Sequence, residues 1–271
     1  MNILFIGDIM GKPGRRALKE QFQKLIDEFN IDFTIVNVEN AAGGFGITPK
    51  IAEELLSLGA NVLTSGNHIW DRREIYEYLE KEPRLLRPEN YPPESPGKGI
   101  YLGKAADGNL VGVVNLLGKT FMRCFECPFR AAERITSELK EITNIVVVDF
   151  HAEATSEKVA MGWFLDGRVS AVIGTHTHVQ TADERVLPGG TAYITDVGMT
   201  GPHDSVIGIK KEIAIERFLT YLPNRFEVAK GDVRLSAVVI EIDTETGLSR
   251  TIKKIQYPIA SKTEQEGNEG L

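Results

Sequence analysis

The sequence predicts an α/β fold in which helices cover the faces of β-sheets. Short β-branched runs alternate with amphipathic helical segments along most of the chain, as in sheets packed against helices. Of the 271 residues, 42% are hydrophobic and 25% are charged, which provides enough apolar surface for a large core. No internal repeat or low-complexity linker marks a boundary, so we expect one domain over residues 1–260 and a polar, disordered tail over 261–271.

The first part of the chain predicts three strands separated by helices. The strands are NILFI (2–6), FTIVNV (33–38) and NVLTS (61–65). A helix over 15–29 places Leu18, Phe22, Leu25, Ile26 and Phe29 on one face. Further helices are predicted from Pro49, a residue favoured in a first turn, and over about 71–80.

The remainder of the chain begins with a Pro-rich loop over 83–97 and becomes rich in strands. GIYLG (99–103) and LVGVVNLLG (110–118) predict an antiparallel pair, and further strands are expected at 145–150 and 170–175. After a helix near 210–221, the runs 234–243 and 249–257 predict a long hairpin joined by the turn TETG.

Charge and cysteine content restrict the classes of function. The net charge of -7 leaves no basic excess for coating duplex nucleic acid. The two cysteines cannot form a disulfide framework, which indicates a reducing compartment. The first residues lack a basic leader segment, and no stretch approaches 18 apolar residues. We therefore expect a soluble cytoplasmic protein without membrane partners.

Polar side chains follow five predicted strands at their carboxyl ends, where open α/β sheets form their binding crevices. They are Asp8, Glu39 with Asn40, Asn67 with His68, His151, and His176 with His178. Each alone has a structural explanation: a helix cap for Asp8, a turn for Asn67, a hydrogen-bonded core residue for His151. Repetition at five strand ends favours a shared site with enough oxygen and nitrogen ligands for two metal ions.

The types of ligand narrow the choice of metal. Asp, Glu, Asn and His without Cys suit Mn, Fe or Zn better than a thiolate-rich structural zinc site. In His176-Thr177-His178, residues two apart in an extended segment point the same way, so both imidazoles are expected to face the crevice. One imidazole would then ligate each metal.

Five motifs in this order resemble a known family. They are GDIMGKPGR (7–15), VENAAGG (38–44), SGNHIWD (65–71), DFHAE (149–153) and GTHTHVQTAD (174–183). The chain from Met1 to about Ile259 resembles the binuclear calcineurin-like metallophosphoesterases, specifically their YmdB-like branch. The resemblance implies a four-layer fold, a central β-sandwich flanked by helices. It also implies hydrolysis of small phosphodiesters, with 2',3'-cyclic nucleotides as the substrates.

The resemblance also implies two ligand sets that share Glu39. One metal would be held by Asp8, Glu39, Asn40 and His178, the other by Glu39, Asn67, His151 and His176. Met10 stands where the wider superfamily has a second histidine ligand, and a thioether is a poor partner for a hard cation. We expect the Asn40 oxygen to occupy that position, and the ions to be Fe or Mn, with Zn as the alternative.

The mechanism expected from this ligand set is hydrolysis by a hydroxide that bridges the two metals. Two cations about 3.5–4 Å apart can lower the pKa of a shared water and neutralise phosphate oxygens. His68, beside the ligand Asn67, is expected to act as general acid on the departing ribose oxygen. The alternative for His68 is packing or substrate binding. Asp71 would orient His68 or cap a helix.

Other functions remain open at this stage. A phosphomonoesterase or an RNA 3'-end nuclease could use the same site, and a metal-dependent regulatory protein could bind a nucleotide or protein with incidental hydrolysis. His203, in the loop TGPHDS, is a further candidate for lining the crevice, and the sequence leaves this open. Cys124 and Cys127 are expected to be free thiols, and the apolar residues around them could form a lid or a homo-oligomer contact.

Overall fold

The strands of the computed structural model form two mixed sheets within residues 1–123 and 125–260, the part of the chain that the structure describes. Each sheet has six strands. The predicted tail over 261–271 and Cys124 lie outside the described residues. Within the two described ranges, no helix is long and apolar enough to cross a membrane.

The first sheet combines parallel strands from the start of the chain with antiparallel strands from its end. Its strands are β1 (Asn2–Ile6), β2 (Phe33–Asn37), β3 (Val62–Thr64), β10 (Gly201–Pro202), β11 (Val233–Ile242) and β12 (Ser249–Pro258). The order is β10-β11-β1-β2-β3, and β12 pairs with β11. The strands β1, β2 and β3 run parallel, so their carboxyl ends reach the same edge.

The second sheet is built from the middle of the chain. Its strands are β4 (Ile100–Lys104), β5 (Leu110–Leu117), β6 (Ile145–His151), β7 (Ala171–Thr175), β8 (Arg185–Val186) and β9 (Ala192–Ile194). The order is β4-β5-β6-β7-β9-β8. The inner strands β5, β6, β7 and β9 are parallel, whereas β4 and β8 are antiparallel edge strands.

The two sheets pack face to face, and alternation along each strand divides its side chains between two cores. In β1, Ile3 and Phe5 pack against the second sheet, while Leu4 and Ile6 face the helices. All four side chains are completely buried. Each such side chain contributes about 1.5–3 kcal/mol of hydrophobic stabilisation, which explains why both faces of these strands are apolar.

The described ranges contain six α-helices, five of which cover the sandwich. They are α1 (Gly11–Phe29), α2 (Pro49–Ser57), α3 (Ile75–Lys81), α4 (Pro128–Lys140), α5 (Thr155–Leu165) and α6 (Lys211–Thr220). The first three cover the outer face of the first sheet, and α4 and α5 cover that of the second. The four-layer order implied by the family resemblance is therefore confirmed. Helix α6 packs apart from these layers, in a small cluster with Met10 and Met199.

Several predicted elements differ from the structure in extent. The helix predicted over 15–29 begins four residues earlier, at Gly11. The segment GKPG is helical although it has no apolar periodicity from which a helix could be predicted. The helix predicted over about 71–80 is a 3-10 helix, Asn67–Asp71, followed by α3. Extended backbone at Arg72 (φ -119°, ψ 103°) separates the two. Helices α4 and α5 were not predicted, whereas the hairpin of β11 and β12 is confirmed.

A buried carboxylate ties the two sheets together at the end where the site lies. Asp149 on β6 accepts hydrogen bonds from Asn37 on β2 and from Thr64 on β3. It also accepts one from Thr175 on β7. The carboxyl ends of four strands from both sheets are thereby brought to one crevice.

Candidate metal centre

The crevice gathers the donors that the sequence predicts. Asp8 follows β1, Glu39 and Asn40 follow β2, and Asn67 follows β3. His151 ends β6, and His176 and His178 follow β7. Hydrogen bonds and short polar contacts place all of these residues except Asn67 in direct contact with another member of the set. Asn67 begins the 3-10 helix whose next residue, His68, bonds to Glu39.

Several oxygen atoms in this set of donors are buried without a hydrogen-bond partner among the described residues. They are Asp8 Oδ1, Glu39 Oε2 and Asn67 Oδ1. An unsatisfied buried acceptor costs about 1–3 kcal/mol, and more when it is charged. All three atoms are acceptors and none can donate when the carboxyl groups are ionised. A cation bound beside them would satisfy all three oxygens.

The hydrogen bonds around His151 determine which ring nitrogen faces the crevice. The Thr175 hydroxyl donates to Asp149 Oδ1 over 2.7 Å, so it accepts from His151 Nδ1 at 2.9 Å. This leaves His151 Nε2 directed at His176 Nδ1, 3.0 Å away, and at Glu39 Oε1, 3.4 Å away. Burial lowers the pKa of His151, but contacts with Glu39 and the charges of Asp8 and Asp149 together raise it overall. Positive charge is thus favoured where these three atoms meet.

His176 presents its other nitrogen to a carboxylate. Its Nε2 lies 3.0 Å from Glu153 Oε2, so the proton on this nitrogen is donated to Glu153 and Nδ1 keeps its lone pair. Burial lowers the pKa of His176 to about 2, with the charge of His151 adding to the effect. The ring is therefore neutral, which is the form that binds metals.

His178 and Asn40 form a second point suited to a cation. His178 Nδ1 donates to the carbonyl of Ile207 over 2.9 Å, which leaves the lone pair on Nε2. Asn40 Nδ2 donates to Gly44 over 2.9 Å, which turns its Oδ1 towards His178 Nε2 at 3.1 Å. Two acceptors that face each other repel unless a positive charge lies beside them.

The carboxylates differ in how burial and charge balance. Burial raises the pKa of Asp8 to about 8, and His151 only partly opposes this. For Glu39, burial is outweighed by His151 and His68, and the pKa falls to about 2. Glu39 is therefore ionised at neutral pH from the contacts present, whereas Asp8 would be held ionised by a neighbouring cation.

The histidine loop after β7 is not the extended segment that the sequence predicts. His176 and His178 have φ values of 100° and 67°, which L residues adopt at a cost. Both rings still face the crevice, but a tight turn brings them there. Asp196 holds the turn by accepting from the Thr177 amide at 2.9 Å and hydroxyl at 2.7 Å. Lys158, buried like Asp196, lies 2.7 Å from the same carboxylate oxygen.

Glycine at position 66 is required by the packing of a ring. A Cβ placed on Gly66 would lie 2.1 Å from His151 Cδ2, closer than any allowed contact. Its neighbour Asn67 begins the 3-10 helix with its side-chain oxygen buried. The glycine lets the Asn67 segment approach His151 directly.

His68 stands at the rim of the donor cluster, with about 30% of its side chain exposed. Its backbone N–H donates to Glu39 Oε1 over 2.7 Å. Its Nδ1 lies 2.7 Å from Asp71 Oδ2, so Asp71 holds the proton on that nitrogen and leaves Nε2 for a substrate. Asp71 therefore orients His68, one of the two roles considered from the sequence.

Within residues 1–123 and 125–260, no three His, Cys, Asp or Glu side chains converge closely enough to form a metal cage by themselves. Two of the predicted donors, Asn40 and Asn67, are amides. The contacts between imidazole nitrogens and oxygens join two residues at a time, as in His178 with Asn40 and His151 with Glu39. The fit of the site to metal ions therefore depends on the buried oxygens without partners and on the facing acceptors of Asn40 and His178.

Met10 is buried at the edge of the cluster and packs with Met199 and Ile209. Its backbone pairs with that of Asn40. The Asn40 oxygen reaches His178, while the Met10 thioether lies in an apolar environment. This arrangement is compatible with the expected substitution of one donor for the other.

The remaining candidates from the sequence lie beside or outside the cluster. His203 lines a cavity of about 410 Å³ that also borders His178, and its Nδ1 lies 3.0 Å from the Gly201 carbonyl. Cys127 is a free thiol before α4. Burial raises its pKa, but amide hydrogen bonds and Lys119 outweigh burial and lower it.

Sequence reasoning missed the residues that position the donors. Thr175, Asp149 and Glu153 orient the histidine rings, and Lys158 with Asp196 holds the histidine loop. Asp149 and Glu153 lie within the motif DFHAE and could have been suspected from it. Lys158 on α5 has no comparable signal.

The donor cluster opens into a cleft of about 740 Å³. Its lining combines residues from the Phe45 loop and from α6 with five residues of the donor crevice: Glu39, Asn40, His68, His176 and His178. A cleft of this volume accommodates a small-molecule ligand.

A helix-covered β-sandwich with carboxylate, amide and imidazole donors at five strand ends defines the metallophosphoesterase class of α/β proteins. The chain belongs to the YmdB-like family, whose model, described as YmdB-like protein, matches residues 4–255. A family of this type implies divalent metal ions.

Individual proteins support the same assignment. The chain is 52% identical over 255 residues to the 2',3'-cyclic-nucleotide 2'-phosphodiesterase of Bacillus subtilis strain 168, covering 94% of this chain and 96% of that protein. A crystal structure of a hypothetical protein from Thermus thermophilus is 42% identical with a TM-score of 0.89, covering 95% and 99% of the two chains. A novel phosphatase from Mycoplasma pneumoniae is 35% identical with a TM-score of 0.89, covering 95% and 93%.

Proposed function

We propose that this protein is a metal-dependent phosphodiesterase that hydrolyses 2',3'-cyclic nucleotides at the 2' ester and releases nucleoside 3'-phosphates. The Bacillus subtilis relative carries this activity in its name and matches 94% of the chain. The acidic net charge of -7 requires that any positive charge for binding phosphate be local, and the donor cluster supplies a place for it.

Some contacts in the crevice support the predicted ligand sets: Asn40 faces His178. His151 lies beside Glu39 and His176. Asp8, Glu39, Asn40 and His178 would hold one metal, and Glu39, Asn67, His151 and His176 the other. Two bound metals would activate a water molecule and neutralise charge on the phosphate. We propose Fe or Mn, with Zn as the alternative, because the donors are carboxylate, amide and imidazole groups without thiolate.

His68 supplies the proton that the leaving ribose oxygen needs. With Nδ1 held by Asp71, the protonated ring presents Nε2–H towards the cleft. As the water oxygen bonds to phosphorus, the bond between phosphorus and the 2' oxygen breaks, and that oxygen takes the proton from Nε2. The proton lost by the attacking water restores His68 in the next cycle, so one water is consumed per turnover.

The observation that carries this proposal is the double attachment of His68. Its backbone bonds to Glu39, the carboxylate proposed to touch both metals, and its ring bonds to Asp71. The proton donor is thereby fixed relative to the place where phosphate would bind, as general acid catalysis requires.

The test is an assay of protein reconstituted with Mn²⁺, Fe²⁺ or Zn²⁺ against cyclic nucleotides, mononucleotides and short RNAs. We expect 2',3'-cyclic nucleotides to give the highest kcat/KM and nucleoside 3'-phosphate as product. Preference for mononucleotides would favour a phosphomonoesterase, and preference for RNA ends a nuclease. Tight binding without turnover would favour a regulatory protein.

Location and assembly are part of the proposal. The two cysteines cannot form a disulfide framework, so we place the protein in the reducing cytoplasm.

The exposed side chains of Phe121 and Phe125 would provide the contact in a homo-oligomer. Light scattering of Phe125→Ser beside the parent would test the contact.

A further inference from the structure

Aromatic side chains form part of the cleft lining beyond the metal donors. Phe45, from the loop after β2, stacks on Phe226 with a centroid distance of 6.2 Å and an angle of 24°. The Arg217 guanidinium of α6 lies 4.7 Å from the centre of the Phe226 ring. These three residues, here called the aromatic wall, all line the 740 Å³ cleft.

The aromatic wall adjoins the residue proposed to protonate the substrate. The Phe45 ring meets the His68 ring edge-on, with centroids 5.1 Å apart. A group bound against His68 therefore lies next to Phe45. The wall is held in place by a ring, a cation and a second ring from three separate segments of the chain.

The covalent structure of the substrate predicts which of its groups lies beside Phe45. In a 2',3'-cyclic nucleotide, the 2' oxygen is attached to the carbon next to the one that carries the base. A 2' oxygen that receives its proton from His68 consequently brings the base close to the neighbouring Phe45. The base is planar and has a π-face, which matches a wall of stacked planar groups.

We infer that the aromatic wall is the nucleobase subsite, in which the base extends the stack formed by Phe45, Phe226 and Arg217. This inference rests on the proposed function, because it takes the leaving oxygen to be protonated by His68. The substrate class is thereby a nucleoside cyclic phosphate, with the base contributing to binding.

The subsite recognises the face of the base more than its edge. The described residues that line the cleft from α6 and its flanking loops are mostly apolar. Phe218 and Tyr221 among them are 78% and 93% exposed. Arg217 and Tyr221 are the members with polar groups able to hydrogen-bond a base edge. Stacking tolerates every base, so we expect purine and pyrimidine substrates to differ by less than about tenfold in kcat/KM.

The experiment compares adenosine 2',3'-cyclic phosphate with ribose 2',3'-cyclic phosphate, which lacks the base. The quantity measured is the ratio of their kcat/KM values. Loss of a base stack costs about 5- to 150-fold. In Phe226→Leu, which keeps an apolar side chain but removes the ring, the ratio should fall at least about fivefold, mainly through KM for the adenosine compound. Phe226→Tyr keeps a ring and should retain the ratio of the parent.

Phe164 offers a matched control. It is also covered by an arginine, with Arg168 5.1 Å from the ring centre, but it packs against α4 and the second sheet, away from the cleft. Phe164→Leu should leave the ratio unchanged. An unchanged ratio in Phe226→Leu, or an equal fall in Phe164→Leu, would overturn the inference.

The proposed function and the subsite can fail separately. If the parent hydrolyses neither compound, the proposed function is wrong, and titration with adenosine 3'-phosphate and ribose 3-phosphate then decides the subsite. Tighter binding of the adenosine compound that is lost in Phe226→Leu would support the aromatic wall. Equal binding of both compounds would overturn it.

Discussion

His178 Nε2 lies 3.1 Å from Asn40 Oδ1, and neither atom has a proton to offer the other. The proton of His178 is on Nδ1, bonded to the Ile207 carbonyl, and the Asn40 amide nitrogen is bonded to Gly44. Both residues are thus fixed with their acceptors towards each other. A cation beside them would turn this repulsion into attraction, which is why we propose the pair as metal ligands.

Asn40→Ala should lower the metal content of the protein by about one ion per chain. The substitution removes an oxygen donor and frees His178 to rotate. Elemental analysis after dialysis checks this result, and Asn109→Ala, at a half-buried asparagine bonded to Asp107, serves as control. Full occupancy of both sites in Asn40→Ala would contradict the assignment.

Glu39→Gln should lower the occupancy of both sites together with activity. The substitution removes a negative charge that the two cations are proposed to share, so their repulsion is less compensated. Metal content and turnover are measured on the same preparations, with Glu20→Gln on α1 as a control that is distant from the crevice. Two ions per chain and near-normal turnover in Glu39→Gln would refute the bridging role.

Thr175→Val should weaken metal binding by about 10- to 100-fold through His151. The Thr175 hydroxyl is the group that connects Asp149 to His151 Nδ1, and valine has the same shape without that hydroxyl. Leaving these buried groups unpaired should also cost about 1–3 kcal/mol in free energy of unfolding. Metal titration calorimetry and urea denaturation measure the two effects. Thr175→Ser, which keeps the hydroxyl, should restore both.

Lys158→Met should lower the free energy of unfolding by about 3–5 kcal/mol, because it leaves the buried carboxylate of Asp196 without its cation. The two residues are 1% and 0% exposed. Lys210→Met breaks an ion pair with Glu227 at the surface, where water screens the charges, and should change the free energy of unfolding far less. Similar urea midpoints for the two variants would show that the buried pair has no special role in holding the histidine loop.

The arrangement of strands could be predicted because periodic burial leaves a signal in the sequence. Runs such as NILFI are apolar on both faces since each face packs against a different layer. The parallel order of such strands then predicts that Asp8, Glu39 and His151 lie near one another. These predictions need only local patterns and a topology rule.

Contacts between distant side chains could not be predicted in this way. Lys158 and Asp196 are 38 positions apart, and nothing periodic relates them. The turn at His176 and His178 also breaks the rule that residues two apart in a strand share a face, because its backbone has positive φ values. The Phe45–Phe226 stack joins loops whose paths have no regular pattern.

The central claim, that His68 protonates the ribose oxygen leaving a 2',3'-cyclic nucleotide, is tested most directly by changing the leaving group. His68→Ala should keep both metals and lose about 10²- to 10⁴-fold in rate on the cyclic nucleotide, whose leaving alkoxide needs a proton. A nitrophenyl phosphodiester, whose phenolate leaves readily without one, should lose much less. Equal losses on the two substrates, with metal content matched and chemistry rate-limiting, would contradict the claim.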